Sequence, residues 1–221
     1  MKHFTVMSAI VALALGLVVT ATSAAGGGGY PLGQRGDTGR STGGESSPAR
    51  LKVRWDIVSY NFSARPVTVS AGGKATAIGS DDSKITFTGS GTFGGPPTNV
   101  TGGGNWQIID ARGNETGSGT YQVKSLVNFF GAPGTFGDPT GGFVLVDQIG
   151  NGYDARAGLA VLRIVYSDAS QGILVLGSLQ VGTPPPRLMG ITATKSFVAY
   201  WERQAPRPVI DGNRTLFHVV P

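Results

Sequence analysis

The chain has 221 residues, 36 glycines, no cysteine and a formal net charge of +5. It is long enough for one domain with a hydrophobic core, but the absence of cysteine excludes disulfides, thiolate metal sites and a thiol nucleophile. The basic residues are scattered rather than clustered, so we expect no nucleic-acid partner.

The first 25 residues have the layout of a secretory signal peptide. Lys2 gives a basic start, residues 9–19 form an apolar run, and Thr22 to Ala25 supply the small residues of a cleavage site. The apolar run is too short for a membrane-spanning helix, which needs about 20 residues. We therefore expect a secreted or periplasmic protein that meets a membrane only through its export signal.

Residues 26–50 consist mainly of Gly, Ser, Thr and Pro and show no apolar periodicity. Such a segment buries too little apolar surface to offset the entropy lost on ordering. We predict a disordered linker over 26–50, a β-domain over 51–202, and a C-terminal tail over 203–221 that contains an edge strand, Thr215–Val220.

The β-domain begins with a clear alternation of apolar and polar residues. Leu51, Val53, Trp55 and Ile57 recur at every second position, which is the period of a strand with one buried face. The same reasoning predicts strands over 85–93, 106–108, 121–129, 143–149, 159–166, 173–181 and 191–201, turns at 80–83, 111–115 and 167–172, and a Gly/Pro loop over 131–142.

No segment after residue 25 keeps a helical period over three turns. Closely spaced strands with short connections indicate an all-β fold. Glycines inside strand patterns, such as Gly89 and Gly177, suit the sharp coiling of a small barrel. We predict an antiparallel β-barrel of about eight strands, with a β-sandwich as the alternative.

The inventory of reactive side chains is sparse. His218 is the only histidine beyond the signal peptide, so a Ser-His-Asp triad would depend on this one residue near the chain end. A histidine-based metal site is excluded by number. Most acids fall in turns or at strand ends, where Asp commonly bonds to the backbone. We expect no metal and no cofactor, and we assign no catalytic residue.

Arg163 is a charged residue within an apolar strand. It shares the parity of Leu159, Val161 and Val165, and a charge facing a barrel interior must be paired or must serve a ligand. We predict an interior site in which Arg163 holds an acidic ligand group. The other predicted site residues are Tyr121, Tyr166, Glu202 and Trp106.

The alternative is that Arg163 and Lys124 lie on the outer face of the barrel and extend along it. Parity alone does not tell which face of a strand is inside.

The stretch Thr86–Trp201 carries TFTGSGTF, VTGGGNWQI, GSGTYQVKSLVNFF and AGLAVLRIVYSDASQGILVLGSLQVGTP. This pattern resembles a group of secreted bacterial proteins of unknown function, and in outline it is similar to the eight-stranded barrel of the allene oxide cyclase/dirigent type. The first resemblance implies no activity. The second implies a barrel, and no cyclase active-site motif can be matched to it residue by residue. Likeness of fold does not establish function.

Three functions fit these features. The first is a binding module for a small apolar or weakly acidic ligand, which we favour over an enzyme. The second is a cyclase- or isomerase-like enzyme that uses the barrel cavity, and the third is a structural surface protein with a packed core. An outer-membrane barrel is opposed by the closing Val219-Val220-Pro221 and by the lack of paired aromatic girdles.

Overall fold

The computed structural model describes residues 51–94, 99–137, 144–185, 188–204 and 212–221. The predicted signal peptide (1–25) and linker (26–50) lie outside these residues, as does the stretch 138–142 of the predicted loop. The described strands are β1 (Lys52–Asn61), β2 (Val67–Ala71), β3 (Ala75–Ile78), β4 (Lys84–Phe87), β5 (Ser90–Gly94), β6 (Thr101–Ile109), β7 (Glu115–Ala132), β8 (Leu145–Asp147), β9 (Ala155–Tyr166), β10 (Gln171–Ser178), β11 (Gly190–Lys195), β12 (Val198–Tyr200), β13 (Glu202–Arg203) and β14 (Thr215–Val220).

Six of these strands close a ring. β1 pairs with β5, β5 with β6, β6 with β7, β7 with β9, β9 with β14, and β14 again with β1, and every one of these pairings is antiparallel. The predicted all-β antiparallel barrel is therefore confirmed. The closed ring has six strands, and the other described strands extend from it.

Two arms of outer strands extend the ring and meet again. One arm continues from β9 through β10 and β11 to β12, and the other continues from β6 through β4 and β3 to β13. Only Trp201 separates β12 from β13, so the segment 198–203 connects β11 to β3. The pairings thus also follow a longer circuit through β3, β4, β6, β7, β9, β10, β11 and the segment 198–203.

The structure corrects two sequence predictions about strands. Thr215–Val220 forms a strand, but it pairs with β1 on one side and β9 on the other, so it is not an edge strand. The predicted strand 191–201 is a hairpin, because β11 pairs with β12 across a turn at Ser196 and Phe197, and Ser196 adopts a positive φ of 54° there.

Large side chains from alternate strand positions fill the barrel. Trp55, Phe87, Leu162 and Leu174 have no exposed surface, and burying a side chain of this size contributes roughly 1.5–3 kcal/mol. Phe93 of β5, Phe129 of β7 and Phe217 of β14 contact one another, with ring centroids 5.0–6.2 Å apart. The barrel interior is therefore a packed core.

Some strand glycines are needed because backbones pass very close to one another. A Cβ on Gly104 in β6 would lie 2.0 Å from the Thr88 carbonyl oxygen, whereas a Cβ on Gly131 in β7 would meet nothing closer than 3.9 Å. Thr88 falls between β4 and β5, at the place where the predicted single strand 85–93 divides in two. Glycine at position 104 thus permits the backbone of β6 to lie directly against the backbone at this break.

A smaller apolar cluster lies apart from the main core. Val58, Val69, Ala155 and Leu216 are buried in it, and Phe136, Leu145 and Ile149 pack against them. This cluster joins β8, which pairs in parallel with β2, to the wall formed by β1, β9 and β14. Within the described ranges, no helix has the length and apolarity needed to cross a membrane.

Candidate functional site

Three of the predicted site residues belong to the packed core. Trp106, Tyr121 and Tyr166 are 5%, 2% and 2% exposed. Their polar atoms are used by backbone carbonyls, because Trp106 Nε1 donates to Thr120 at 3.1 Å, Tyr121 Oη to Thr88 at 3.0 Å, and Tyr166 Oη to Thr194 at 2.7 Å. Burial raises the pKa of both tyrosines, so they remain neutral donors. These three side chains pack in the core and bond to its backbone, so their polar atoms need no ligand in the barrel interior.

The other two predicted residues, Arg163 and Glu202, are exposed. The interior face of β9 carries Leu162 and Ile164, so the parity that Arg163 shares with Leu159 and Val165 is that of the outer face. Glu202 lies in β13 opposite Ile78. The structure brings Trp106 and Tyr166 together at a ring-centroid distance of 5.4 Å, but the predicted interior cluster around Arg163 does not form. Arg163 and Lys124 instead lie on the outer face of the barrel, which was the alternative prediction.

One end of the core is covered by a lysine. Lys195 Nζ lies 4.7 Å from the centroid of the Trp106 ring and 5.0 Å from that of Tyr166, distances at which a cation attracts an aromatic face. The same ammonium pairs with Asp168 and donates to Ser170 Oγ at 2.9 Å. The hydrogen bond from Lys195 lowers the pKa of Asp168 to about 2. With its charge balanced by Asp168 and its ammonium over the two rings, Lys195 covers this end of the core.

A cleft of about 910 Å³ lies outside the ring. Its walls come from the segment after β7, from β8, and from the turn that leads into β9. The larger apolar and aromatic lining side chains are Phe136, Val144, Leu145 and Tyr153, and the charged ones are Asp147 and Arg156. The volume falls within the range of about 300–1,000 Å³ that is typical of small-molecule sites.

Local backbone features shape this cleft. Asn151 Oδ1 accepts a hydrogen bond from the Tyr153 N–H at 3.0 Å and caps the short 3-10 turn at Gly152–Asp154. A Cβ on Gly152 would lie 2.7 Å from the Phe136 ring, so glycine allows this aromatic side chain to lie directly on the turn. Tyr153 remains 91% exposed, and its ring is available for contact.

Arg156 supplies a positive charge to the cleft. Its Nη1 donates to the carbonyl oxygens of Tyr153 and Ala155 at 2.9 and 2.8 Å, which fixes the guanidinium beside the turn. Arg156 takes part in none of the ion pairs among the described residues. The other N–H groups of its guanidinium can therefore donate hydrogen bonds to an acidic group of a ligand.

A buried acid–imidazole pair includes Asp147, which lines the cleft. Asp147 Oδ2 and His218 Nε2 are 2.6 Å apart, and the two side chains are 4% and 2% exposed. Asp147 Oδ1 also accepts from the N–H groups of Ile149 at 2.8 Å and Gly150 at 3.3 Å. Burial alone would raise the pKa of Asp147, but the hydrogen bonds from His218 and from these backbone groups bring it below its usual value.

This pair fixes the tautomer of His218. Because an ionised carboxylate can only accept, Nε2 carries the proton. Nδ1 is buried and has no hydrogen-bond partner among the described residues. Sequence reasoning gave His218 no role, since its partner Asp147 is 71 positions away and no local pattern connects the two residues.

No group of three or more His, Asp or Glu side chains able to hold a metal ion occurs in the described part of the chain. A scan against protein-family models and searches of characterised proteins and of solved structures found no match for this chain.

Proposed function

We propose that this protein is a binding module for a small ligand with an apolar body and an acidic group, and that the ligand occupies the outer cleft. The observation that carries the proposal is the cleft itself. It has the volume of a small-molecule site and combines large apolar side chains with a guanidinium that has no ion-pair partner among the described residues. The packed barrel interior supports an outer site over an interior one.

The two charged residues of the cleft determine where the acidic group of such a ligand would bind. Asp147 already accepts three hydrogen bonds and would repel a carboxylate. Arg156 presents a fork of donors that matches a carboxylate or sulfonate. The acidic group therefore belongs at Arg156, and the apolar body belongs between Tyr153 and Phe136.

A fluorescent probe with this chemistry, 8-anilinonaphthalene-1-sulfonate, tests the proposal. Titration into the full chain should raise the probe's fluorescence with saturation. Tyr153→Ser and Arg156→Gln should each weaken binding about tenfold, which corresponds to ~1.4 kcal/mol. Both side chains are exposed, so neither change should affect folding.

The matched control is Phe197→Ser, which removes an equally exposed aromatic side chain far from the cleft residues in sequence. It should bind the probe like the unmodified protein. Equal binding by Tyr153→Ser and Phe197→Ser would refute the cleft as the site. Mass spectrometry of protein purified without denaturation should also reveal a bound small acid, and that acid should be lost in Tyr153→Ser.

A proton-transfer enzyme of the isomerase kind is the second candidate, and one observation favours it. Asp147 lines the cleft and is bonded to His218, and carboxylate–imidazole pairs are common proton-transfer units. If the ligand recovered from the protein is chemically altered by the unmodified chain but not by Asp147→Asn, the protein is an enzyme. If it is returned unchanged by both, the protein is a binding module.

A further inference from the structure

A second concave surface lies on the outer wall across β7, β9 and β10. This groove has a volume of about 390 Å³, and Lys124, Arg163, Val165, Gln171 and Ile173 are among the residues that line it. It shares no lining residue with the cleft. Its two cations come from different strands, and its floor is aliphatic.

A β-bulge lies where the two cations line the groove. Val123 pairs with Ile164 and Ser125 pairs with Arg163, so Lys124 is an extra residue inserted between two consecutive pairs. A bulge of this kind redirects a side chain and increases the local twist of the strand. In a regular ladder continued from Val123, Lys124 itself would pair with Arg163. The bulge places Ser125 opposite Arg163 instead, and both cations still line the groove.

Neither cation has an acidic partner in the described part of the chain. The ion pairs found there involve Arg54, Lys195 and His218, while Lys124 Nζ donates only to the neutral Gln122 Oε1 at 2.8 Å. Two neighbouring like charges destabilise a sheet when no counter-charge is present. An anionic ligand would remove this repulsion.

We propose that the Lys124–Arg163 groove binds a phosphate monoester, with the phosphoryl group between the two cations and the organic group on Ile173 and Val165. A phosphate monoester carries close to two negative charges at pH 7, which matches two cations. The guanidinium can donate two parallel hydrogen bonds to adjacent oxygens, and the ammonium contributes a compact charge. The aliphatic floor suits an apolar substituent.

Benzyl phosphate is the probe, and NMR or calorimetric titration of the full chain is the measurement. Benzyl phosphate should bind with an affinity that falls as salt increases, because the charges are exposed. Benzyl alcohol, which lacks the charge, should not bind measurably, and benzyl sulfate, with a single charge, should bind about tenfold more weakly.

Three variants decide between this site and general attraction to a positive protein. Arg163→Gln and Lys124→Gln should each reduce the affinity for benzyl phosphate about tenfold, while Arg112→Gln, which removes an exposed cation from a turn, should leave it unchanged. Circular dichroism should show the same fold for all three proteins.

Equal losses in all three variants would overturn the proposal, and so would unchanged binding in Arg163→Gln or comparable binding of benzyl alcohol. Because the groove and the cleft share no residues, failure here leaves the cleft intact, and Tyr153→Ser should retain binding of benzyl phosphate.

Discussion

Asp147 and His218 connect a cleft outside the barrel to one of the barrel's own strands. Asp147 ends β8, and His218 lies in β14, where it pairs with Arg54 and Ala155. Four hydrogen-bonding groups converge within this small volume, and the two side chains are almost completely buried. A buried charged hydrogen bond contributes more than an exposed one, and removing one partner leaves the other without compensation.

Asp147→Asn should lower the free energy of unfolding by about 1–3 kcal/mol at pH 7. Because the pKa of Asp147 is lowered on folding, its stabilising effect is present above the unfolded pKa of about 4 and is lost as the pH falls through the lower folded value. The difference between the variant and the unmodified protein should therefore shrink towards pH 3. Urea unfolding, followed by tryptophan fluorescence at pH 7, 5 and 3, measures this difference in the free energy of unfolding.

Asp154→Asn is the control, since Asp154 is an exposed acid in the neighbouring turn. It should leave the unfolding energy unchanged at each pH. A difference for Asp147→Asn that does not vary with pH would contradict the assigned role of its charge.

The strands show where alternation predicts structure and where it is ambiguous. In β1, Val53, Trp55 and Ile57 are buried as their period predicts. In β9 both faces carry aliphatic residues, with Leu162 and Ile164 inside and Val161 and Val165 partly buried outside. The alternation is real, but apolarity does not identify the inner face, and for this reason Arg163 could not be placed from the sequence. The need for glycine at position 104 likewise could not be predicted from the sequence, because it depends on the Thr88 carbonyl oxygen, which lies against it only in the folded chain.

Gly104→Ala should destabilise the protein by more than about 2 kcal/mol. The added methyl group would overlap the Thr88 carbonyl oxygen, and because this obstacle is backbone, the barrel wall itself would have to move. Gly131→Ala, in another barrel strand and with free space around its Cβ, should change the unfolding energy by less than about 1 kcal/mol. Thermal unfolding of the two variants gives the comparison, and equal stabilities would show that the close approach at Gly104 is unimportant.

At the scale of the whole molecule, the barrel depends on contact between its first and last described strands. Lys52 pairs with Val220 and Ile57 with Thr215. The sequence predicted the fold class from composition and period, but it placed the end of the domain at residue 202. A short apolar strand beyond a proline-containing segment does not show which strands it will join, since that depends on contacts more than 150 residues apart. The cleft escaped prediction for a similar reason, because apart from β8 and the start of β9 its walls come from loops and turns that have no period.

Removal of residues 213–221 should therefore open the ring. The buried faces of Trp55 and Phe93 would lose Phe217 and its neighbours, and the truncated chain should lack cooperative unfolding and show red-shifted tryptophan emission. Removal of Pro221 alone, which lies outside β14 and is exposed, should have no effect. A truncated chain that unfolds as cooperatively as the full one would show that the ring does not need β14.

The pairing of β1 with β14 also gives the fold an almost circular chain path. The strand that opens the described domain and the strand that closes it run side by side, so Leu51 and Pro221 lie at neighbouring positions of the same wall. The pairing of the barrel strands therefore does not depend on which connection between strands is left open. The barrel strands could be encoded with new ends in an exposed turn such as 110–114, provided a short peptide joined Pro221 to Leu51.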